Sequence, residues 1–171
     1  FFKKKKIKKI KLLDVGAGTG EFPISIMNRN IKVFANEANK TQCIFIKRYS
    51  KGKIKVINLS FLKKNFNKQT FDFITFNKVL EHIEKPSKFL IKAKKILNKN
   101  GYIYLEGPDI IAKKKLSQFS WEEFSIGHFH VFSPKSLKLF VENLNFKIVE
   151  LKRIIEPSGK HTIFSIIKKN D

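Results

Sequence analysis

Residues 12–20, LLDVGAGTG, constrain the fold of this chain more than any other segment. Four residues suited to a buried strand are followed by glycines at positions 16, 18 and 20, three of only eight in the chain. Glycine lets the backbone turn sharply and lets a ligand approach closely, and a following helix offers unpaired N–H groups. The pattern predicts a strand, a binding loop and a helix, and it favours a cofactor site over a plain turn.

Strand and helix patterns alternate along the rest of the chain. Apolar runs predict strands at residues 10–15, 32–37, 53–59, 71–76, 102–106, 146–154 and 161–168. The last two strands are joined by EPSG with no helix between them, so they must be antiparallel. The sequence therefore predicts an α/β fold: a Rossmann-like, doubly wound, mostly parallel seven-stranded sheet with a C-terminal antiparallel strand pair.

Helix boundaries are predicted from capping residues. A first helix is expected at residues 21–30, with a proline tolerated in its first turn. Asn39 and Ser87 are expected to cap the next two helices, which Gly52 and Gly101 would close. The pair at residues 133–134, Ser-Pro, predicts the start of a fourth helix.

Length and periodicity predict the domain organisation. At 171 residues the chain suits one domain, so residues 1–171 are expected to form a single domain. Its first residue is Phe rather than Met, and the chain is therefore expected to lack an N-terminal segment. Periodicity fails at residues 107–131, which hold Phe119, Trp121, Phe124 and two histidines, and this segment is expected to form a loop or lid over the substrate side.

The net charge of +22 suggests nucleic acid as a partner, but its residue types argue against that partner without excluding it. Only three of the 36 basic residues are arginines, the type favoured for phosphate and base recognition, and the lysines are spread along the whole chain. The single cysteine, Cys43, excludes a disulfide framework. No apolar run reaches the roughly 18 residues of a membrane span, so a cytoplasmic monomer or homodimer without membrane insertion is predicted.

Two ligand classes compete for the glycine loop. A dinucleotide fingerprint, G-x-G-x-x-G/A, would place its third small residue at Glu21, which is bulky and negatively charged. A carboxylate beside a pyrophosphate is repulsive. The observed spacing, preceded by Asp14, fits a cationic ligand without phosphates better.

The motifs together resemble those of class I S-adenosylmethionine-dependent methyltransferases. LLDVGAGTG resembles the family's first motif, and Glu37 ends the second strand where the family carries an acidic residue. FDFITFNKVLEHIEKP and GYIYLEGPD resemble the fourth and fifth strands with the segments after them. GHFHVFSPKSL resembles a segment of the small-molecule and sugar-modifying members. The resemblance implies a methyltransferase that uses S-adenosyl-L-methionine.

The same resemblance implies roles for individual residues. Residues 16–18 would wrap the methionine part of the cofactor, and Asp14 would support that loop or the ammonium group through water. Glu37 would bind the ribose, Ala38 would lie against adenine, and Asn77 would lie near the sulfonium and the carboxylate. The segment NLSFL lacks the family's acidic residue for the adenine amino group, so Asn58 or Ser60 is expected to substitute. The implied cofactor-binding residues are Asp14, Gly16, Ala17, Gly18, Gly20, Glu37, Ala38, Asn58 and Asn77.

Methyl transfer from a sulfonium is an in-line displacement, and a hydroxyl acceptor also needs a base. The candidates lie after predicted strand ends, where α/β sheets place ligands: Glu81, His82, His128 and His130. Each of them has a structural alternative, such as bracing the segment after the fourth strand. A metal shared by the two histidines after residue 127 is not expected, because no carboxylate pair lies nearby in sequence.

No Asn-Pro-Pro-aromatic segment follows the fourth strand, although base-methylating members of the family carry one. A small molecule or saccharide is therefore the expected acceptor. The alternatives that stay open are an RNA methyltransferase and a non-catalytic module that keeps the cofactor fold.

Overall fold

A computed structural model describes residues 10–27, 30–110 and 127–170. The strands in these ranges are β1 (Ile10–Val15), β2 (Ile31–Glu37), β3 (Lys55–Asn58), β4 (Phe71–Asn77), β5 (Leu97–Pro108), β6 (Phe146–Ile155) and β7 (His161–Lys169). The helices are α1 (Glu21–Ile26), α2 (Lys40–Tyr49), α3 (Pro86–Ile96) and α4 (Pro134–Asn143), and Leu80–His82 forms a turn of 3-10 helix.

The strands form one seven-stranded sheet in the order β3-β2-β1-β4-β5-β7-β6. The first five strands in this order are parallel, whereas β7 runs antiparallel to both β5 and β6. The predicted fold class, including its C-terminal antiparallel pair, is confirmed. Because the carboxyl ends of parallel strands meet at one edge, the segments after β1, β2, β4 and β5 lie side by side.

Two hydrophobic cores cover the two faces of the sheet. Successive strand residues face opposite sides, so Leu12 joins the core beneath α1 and α2, whereas Leu13 joins the core beneath α3 and α4. Both leucines are fully buried. Burial on both faces explains why β1, β2 and β4 read as nearly continuous apolar runs rather than alternating ones.

Three of the four predicted helix starts are confirmed by the structure. The Asn39 side chain accepts hydrogen bonds from the backbone N–H groups of residues 41 and 42, and Ser133 forms a reciprocal cap with Ser136. The prediction that Ser87 caps the third helix is wrong. That helix begins at Pro86 and has no side-chain cap, because the fixed φ of proline already suits the first helical turn.

Two predicted helix ends are also wrong. The third helix stops at Ile96, not at Gly101, which lies inside β5. A Cβ at Gly101 would lie 2.8 Å from Leu97 Cδ1 and 3.0 Å from the Asp72 carbonyl oxygen, so this glycine permits close strand contact. The first helix, expected at residues 21–30, already ends at Ile26.

The predicted loop at residues 107–131 begins later than expected, because β5 continues through Pro108. Asp109 then forms an isolated bridge with Phe132, and Arg153 Nε lies 2.5 Å from Asp109 Oδ2. Phe119, Trp121 and Phe124 lie outside the described residues, as does the lysine-rich segment 1–9. None of the helices in the described part of the chain is long and apolar enough to cross a membrane.

Candidate active site

The glycine loop after β1 is held by backbone hydrogen bonds to the neighbouring strand. The N–H groups of Gly16 and Ala17 donate to the carbonyl oxygen of Asn36 at 2.8 and 3.2 Å, and Gly20 N donates to Ala17 O at 2.9 Å. Gly16, Gly18 and Gly20 have φ values of +71°, +54° and +90°, in the left-handed region that favours glycine. The loop conformation therefore explains the alternating glycines.

Packing gives a second reason why position 16 must be glycine. A Cβ at Gly16 would lie 2.8 Å from Val79 Cγ2, in the segment that follows β4. At Gly18, which has a similar φ, nothing lies within 4 Å of such a Cβ. Gly16 is therefore the point where the loop after β1 contacts the segment after β4, and Gly18 faces open space.

Glu37 places its carboxylate against this loop. Glu37 Oε2 accepts a hydrogen bond from Gly18 N at 2.9 Å, and Oε1 accepts one from Asn39 N at 2.8 Å. The carboxylate thus lies at the carboxyl end of β2, beside the glycine loop, and is half-buried. Two oxygens at this position can accept hydrogen bonds from a vicinal diol such as the hydroxyls of a ribose.

Asp14 lies beneath the loop in the centre of the sheet. It is buried, with β2 on one side and β4 on the other, and Thr75 Oγ1 donates to Asp14 Oδ1 at 2.5 Å. Burial raises the pKa of Asp14 to about 7, and the nearby charge of Glu37 adds to the rise, whereas the bond from Thr75 opposes it. A cation bound above the loop would favour the ionised carboxylate.

Asn58 connects the third strand to the segment after β2. Its amide nitrogen donates to the carbonyl oxygens of Glu37 and Ala38 at 3.1 and 2.9 Å. Ala38 itself is exposed. These bonds hold the backbone at the site where the resemblance places adenine.

Asn36 is a structural part of the site that the sequence interpretation missed. Its buried side-chain amide donates to the carbonyl oxygens of Ile57 and Leu59 at 3.2 and 2.7 Å. Its backbone carbonyl accepts the hydrogen bonds that hold the glycine loop. The sequence did carry a signal for this role: Asn36 is a polar residue inside the apolar run of β2, and a buried amide needs hydrogen-bond partners.

The segment after β4 turns sharply toward β5. Asn77, the last residue of β4, pairs with Glu106 of β5, and Lys78 has a φ of +54° with its N–H 2.9 Å from Glu106 O. Tyr104 donates its hydroxyl to the Glu106 carboxylate, and burial raises the pKa of Tyr104 above its ordinary value. The sequence interpretation did not include Tyr104 or Glu106.

Glu81, His82 and His128 come together beyond this turn. The potential ligand atoms of these three side chains all lie within 4.8 Å of one another, and the two imidazole centroids are 4.7 Å apart. Two backbone bonds join the segments: Phe129 N and His130 N both donate to Glu81 O, at 2.7 and 3.3 Å. We call these three side chains the Glu–His–His cluster.

Glu81 is the buried member of this cluster, with 3% of its surface exposed. Among the described residues, its Oε2 atom has no hydrogen-bond partner. Burial raises the pKa of Glu81, and the nearby histidines oppose this rise. A cavity of about 10 Å³, lined in part by Glu81, Gly107 and Phe132, has room for about one water molecule.

His130 lies apart from the cluster, although it is only two residues from His128. Its Nε2 atom is 3.2 Å from Glu84 O, and its ring stacks on Phe132 with centroids 6.1 Å apart. The structure therefore brings together three of the four candidate catalytic residues. The fourth, His130, lies beside them and contacts the backbone carbonyl of Glu84 instead.

The strand order, the glycine loop after β1 and the carboxylate after β2 define the class of this protein: a class I S-adenosylmethionine-dependent methyltransferase. The comparisons agree. The chain belongs to the family described as "Methyltransferase domain", which matches residues 1–151.

Solved structures share the fold. An S-adenosylmethionine-dependent methyltransferase from Methanosarcina mazei has a TM-score of 0.78 at 18% identity and covers 95% of this chain and 93% of its own. The 1,6-didemethyltoxoflavin-N1-methyltransferase of Burkholderia thailandensis, solved with 1,6-didemethyltoxoflavin and S-adenosylhomocysteine, has a TM-score of 0.77 at 16% identity, covering 96% and 72%.

A curated relative comes from Mycoplasmopsis pulmonis: ribosomal RNA small subunit methyltransferase G, 31% identical over 150 residues. The alignment covers 82% of this chain and 63% of the relative. The same enzyme of Mesomycoplasma hyopneumoniae is matched over 52% of its length. The chain thus spans between about half and two thirds of these relatives.

Proposed function

We propose that this protein transfers a methyl group from S-adenosylmethionine to a small-molecule or saccharide acceptor. The observation that carries the proposal is the contact between the Glu37 carboxylate and Gly18 N, because it places a diol-binding group against a glycine loop at the carboxyl edge of the sheet. The cofactor supplies an activated methyl group, so the protein's main task is to align donor and acceptor.

On the donor side, residues 16–18 leave room for the methionine part, and Glu37 exchanges its bond to Gly18 N for bonds to the ribose hydroxyls. Asp14 lies below the loop and stabilises positive charge above it once it is ionised. Asn58 holds the backbone of Ala38, against which adenine would pack. Asn77 ends β4 beside the loop and is the residue we place near the sulfonium.

On the acceptor side, the Glu–His–His cluster supplies groups that can take a proton. His82 Nδ1 lies 2.7 Å from Gly127 O. A carbonyl oxygen only accepts, so Nδ1 carries the hydrogen and Nε2 keeps a lone pair. His82 Nε2 and the Glu81 carboxylate are the candidate bases for a hydroxyl acceptor, with His128 and His130 as further candidates for acceptor binding.

The acceptor class is supported by two features of the sequence. Base-methylating members of the family carry an Asn-Pro-Pro-aromatic segment after β4, whereas this chain has Asn77 followed by KVLEH. Arginine, the residue best suited to planar phosphate recognition, is scarce.

An RNA acceptor is the second candidate. It is favoured by the 31% identity to a ribosomal RNA methyltransferase and by the net charge of +22. The two candidates differ in salt dependence, because a protein that contacts several RNA phosphates loses affinity steeply as salt rises.

The test is transfer of a labelled methyl group from S-adenosylmethionine to two fractions of a cell extract: metabolites below about 1 kDa, and total RNA with ribosomal subunits. Label in the small-molecule fraction supports the first candidate, and label in RNA that falls steeply between 50 and 200 mM salt supports the second. Absence of donor binding in titration calorimetry would overturn both. Cytoplasmic location, a single domain and a monomer or homodimer remain predictions.

A further inference from the structure

We propose that the Glu–His–His cluster is a binding site for a divalent transition-metal ion. Two imidazoles and one carboxylate are a ligand set that zinc and its first-row neighbours prefer. The three side chains come from two segments of the chain that meet after β4 and before α4.

The geometry is close to that of a formed site. Ligands of one ion at about 2.0–2.2 Å lie about 3–4 Å from one another. The ligand atoms of Glu81, His82 and His128 lie within 4.8 Å of one another. The two imidazoles are less tightly enclosed than the carboxylate, since His82 is exposed and His128 is half-buried whereas Glu81 is buried.

The surroundings of His82 orient it as a ligand. Metal-bound histidines usually donate their second ring N–H to a carbonyl or carboxylate, which fixes the tautomer. His82 Nδ1 is 2.7 Å from Gly127 O, so its Nε2 lone pair is left for a metal. Gly127 directly precedes His128, so the carbonyl group that orients His82 belongs to the residue next to the second histidine ligand.

An independent observation comes from the buried carboxylate. Glu81 Oε2 has no hydrogen-bond partner among the described residues, although Glu81 is 3% exposed. An unpaired buried carboxylate is destabilising, and such groups in native structures are paired with a partner or bind an ion. A cation shared with the two histidines would neutralise this buried carboxylate.

The backbone holds the two segments together without a metal. Phe129 N and His130 N, in the two residues directly after His128, both donate to Glu81 O. The site is thus largely preformed, which lowers the ordering cost of metal binding. Ions that prefer oxygen ligands, such as Mg²⁺ and Ca²⁺, fit two imidazoles poorly.

The role of the ion rests on the proposed function. When the ion is bound, His82 and Glu81 act as ligands rather than as bases, and an acceptor hydroxyl on the metal loses its proton to water because the cation lowers the pKa of that hydroxyl. The oxygen then forms a bond to the methyl carbon as the sulfur–carbon bond breaks, and the electron pair of that bond stays on sulfur.

The test is a Co²⁺ titration of the untagged, EDTA-treated full chain, followed by visible absorption, with Zn²⁺ added afterwards as competitor. We expect one equivalent of Co²⁺ to give ligand-field bands that Zn²⁺ removes. His128→Ala and His82→Ala should each weaken binding at least 100-fold, whereas His161→Ala, which removes a histidine from β7, should bind like the unchanged protein.

Equal Co²⁺ binding by His128→Ala, or no band above that of added buffer, would overturn the proposal. Because Glu81 is buried, Glu81→Gln serves as the variant that keeps the fold, and thermal unfolding checks all four variants. The titration needs no S-adenosylmethionine. Failure to bind Co²⁺ therefore leaves the methyl-transfer proposal standing, and failure to bind the donor leaves the metal site standing.

Discussion

The donor side and the acceptor side of this site are built by different means. The donor side consists of backbone groups, two carboxyl groups and two amides, and all four of these side chains have hydrogen-bond partners: Asp14, Glu37, Asn36 and Asn58. The acceptor side consists of side chains from two segments, and one of its buried oxygens, Glu81 Oε2, has no partner within the part of the chain that the structure describes. The difference indicates that the donor side is complete before its ligand arrives, whereas the acceptor side still needs one.

The largest effect is expected where the two sides touch. Gly16→Ala forces a side chain into a left-handed residue and against Val79, which we expect to lower the free energy of unfolding by about 3 kcal/mol and to abolish donor binding. Gly159→Ala, at a similar φ but with nothing within 4 Å, should cost about 1 kcal/mol. Urea unfolding measures both. Equal losses would show that the contact with Val79 is unimportant.

On the donor side, Glu37→Ala removes a charged carboxylate that accepts hydrogen bonds from Gly18 N and Asn39 N. We expect donor affinity to fall about 10- to 100-fold, since a bond to a charged group contributes about 1.5–3 kcal/mol. The matched control is Glu142→Ala, an exposed carboxylate on α4. Titration calorimetry with S-adenosylhomocysteine compares them, and unchanged affinity in Glu37→Ala would place the donor elsewhere.

Asp14 gives the donor side a pH dependence. Its pKa, raised to about 7 by burial, lies above the unfolded value of 3.8, so the folded protein holds the proton more tightly. Stability is therefore lost as the pH rises through about 7, by roughly 2 kcal/mol between pH 5.5 and 8. Asp14→Asn should flatten that decline, as measured by urea unfolding at both pH values. An equally steep decline in the variant would assign it to another group.

The smallest effect is expected on the acceptor side. In metal-free protein at pH 8, Glu81→Gln replaces a buried carboxylate, one of whose oxygens has no partner among the described residues, with a neutral amide and should raise the free energy of unfolding by about 1 kcal/mol. The same change should lower methyl transfer. A loss of stability would mean that the carboxylate has a partner in solution, and the contrast between the two sides would then disappear.

The sequence predicted the donor side better than the acceptor side for a physical reason. The sequence signals for the glycine loop and for Glu37 are local. The alternating glycines and the carboxylate at the end of the next strand lie within about 25 residues of one another. His82 and Gly127, by contrast, are 45 residues apart in the chain, and their contact depends on how β5 and α4 bring the segments together. The sequence identified each of the four candidate residues, but it did not predict which of them come together.

The helix boundaries show the same difference between features that depend on neighbouring residues and features that depend on tertiary contacts. Asn39 and Ser133 were predicted correctly as caps, because an N-cap depends on neighbours two or three residues away. Gly101 was misinterpreted as a helix stop, because a glycine is needed there for tertiary packing: a side chain would collide with Leu97 of the same strand and with the backbone of Asp72 on β4. Asn36 was overlooked because its partners lie on the next strand.

The contact between Gly16 and Val79 limits how this scaffold can diversify. Any larger residue at position 79 would push on the donor loop, so variation there carries a penalty in cofactor affinity whatever it does for the acceptor. Changes in acceptor preference should therefore arise at positions other than 79, where the side chain stays no larger than valine.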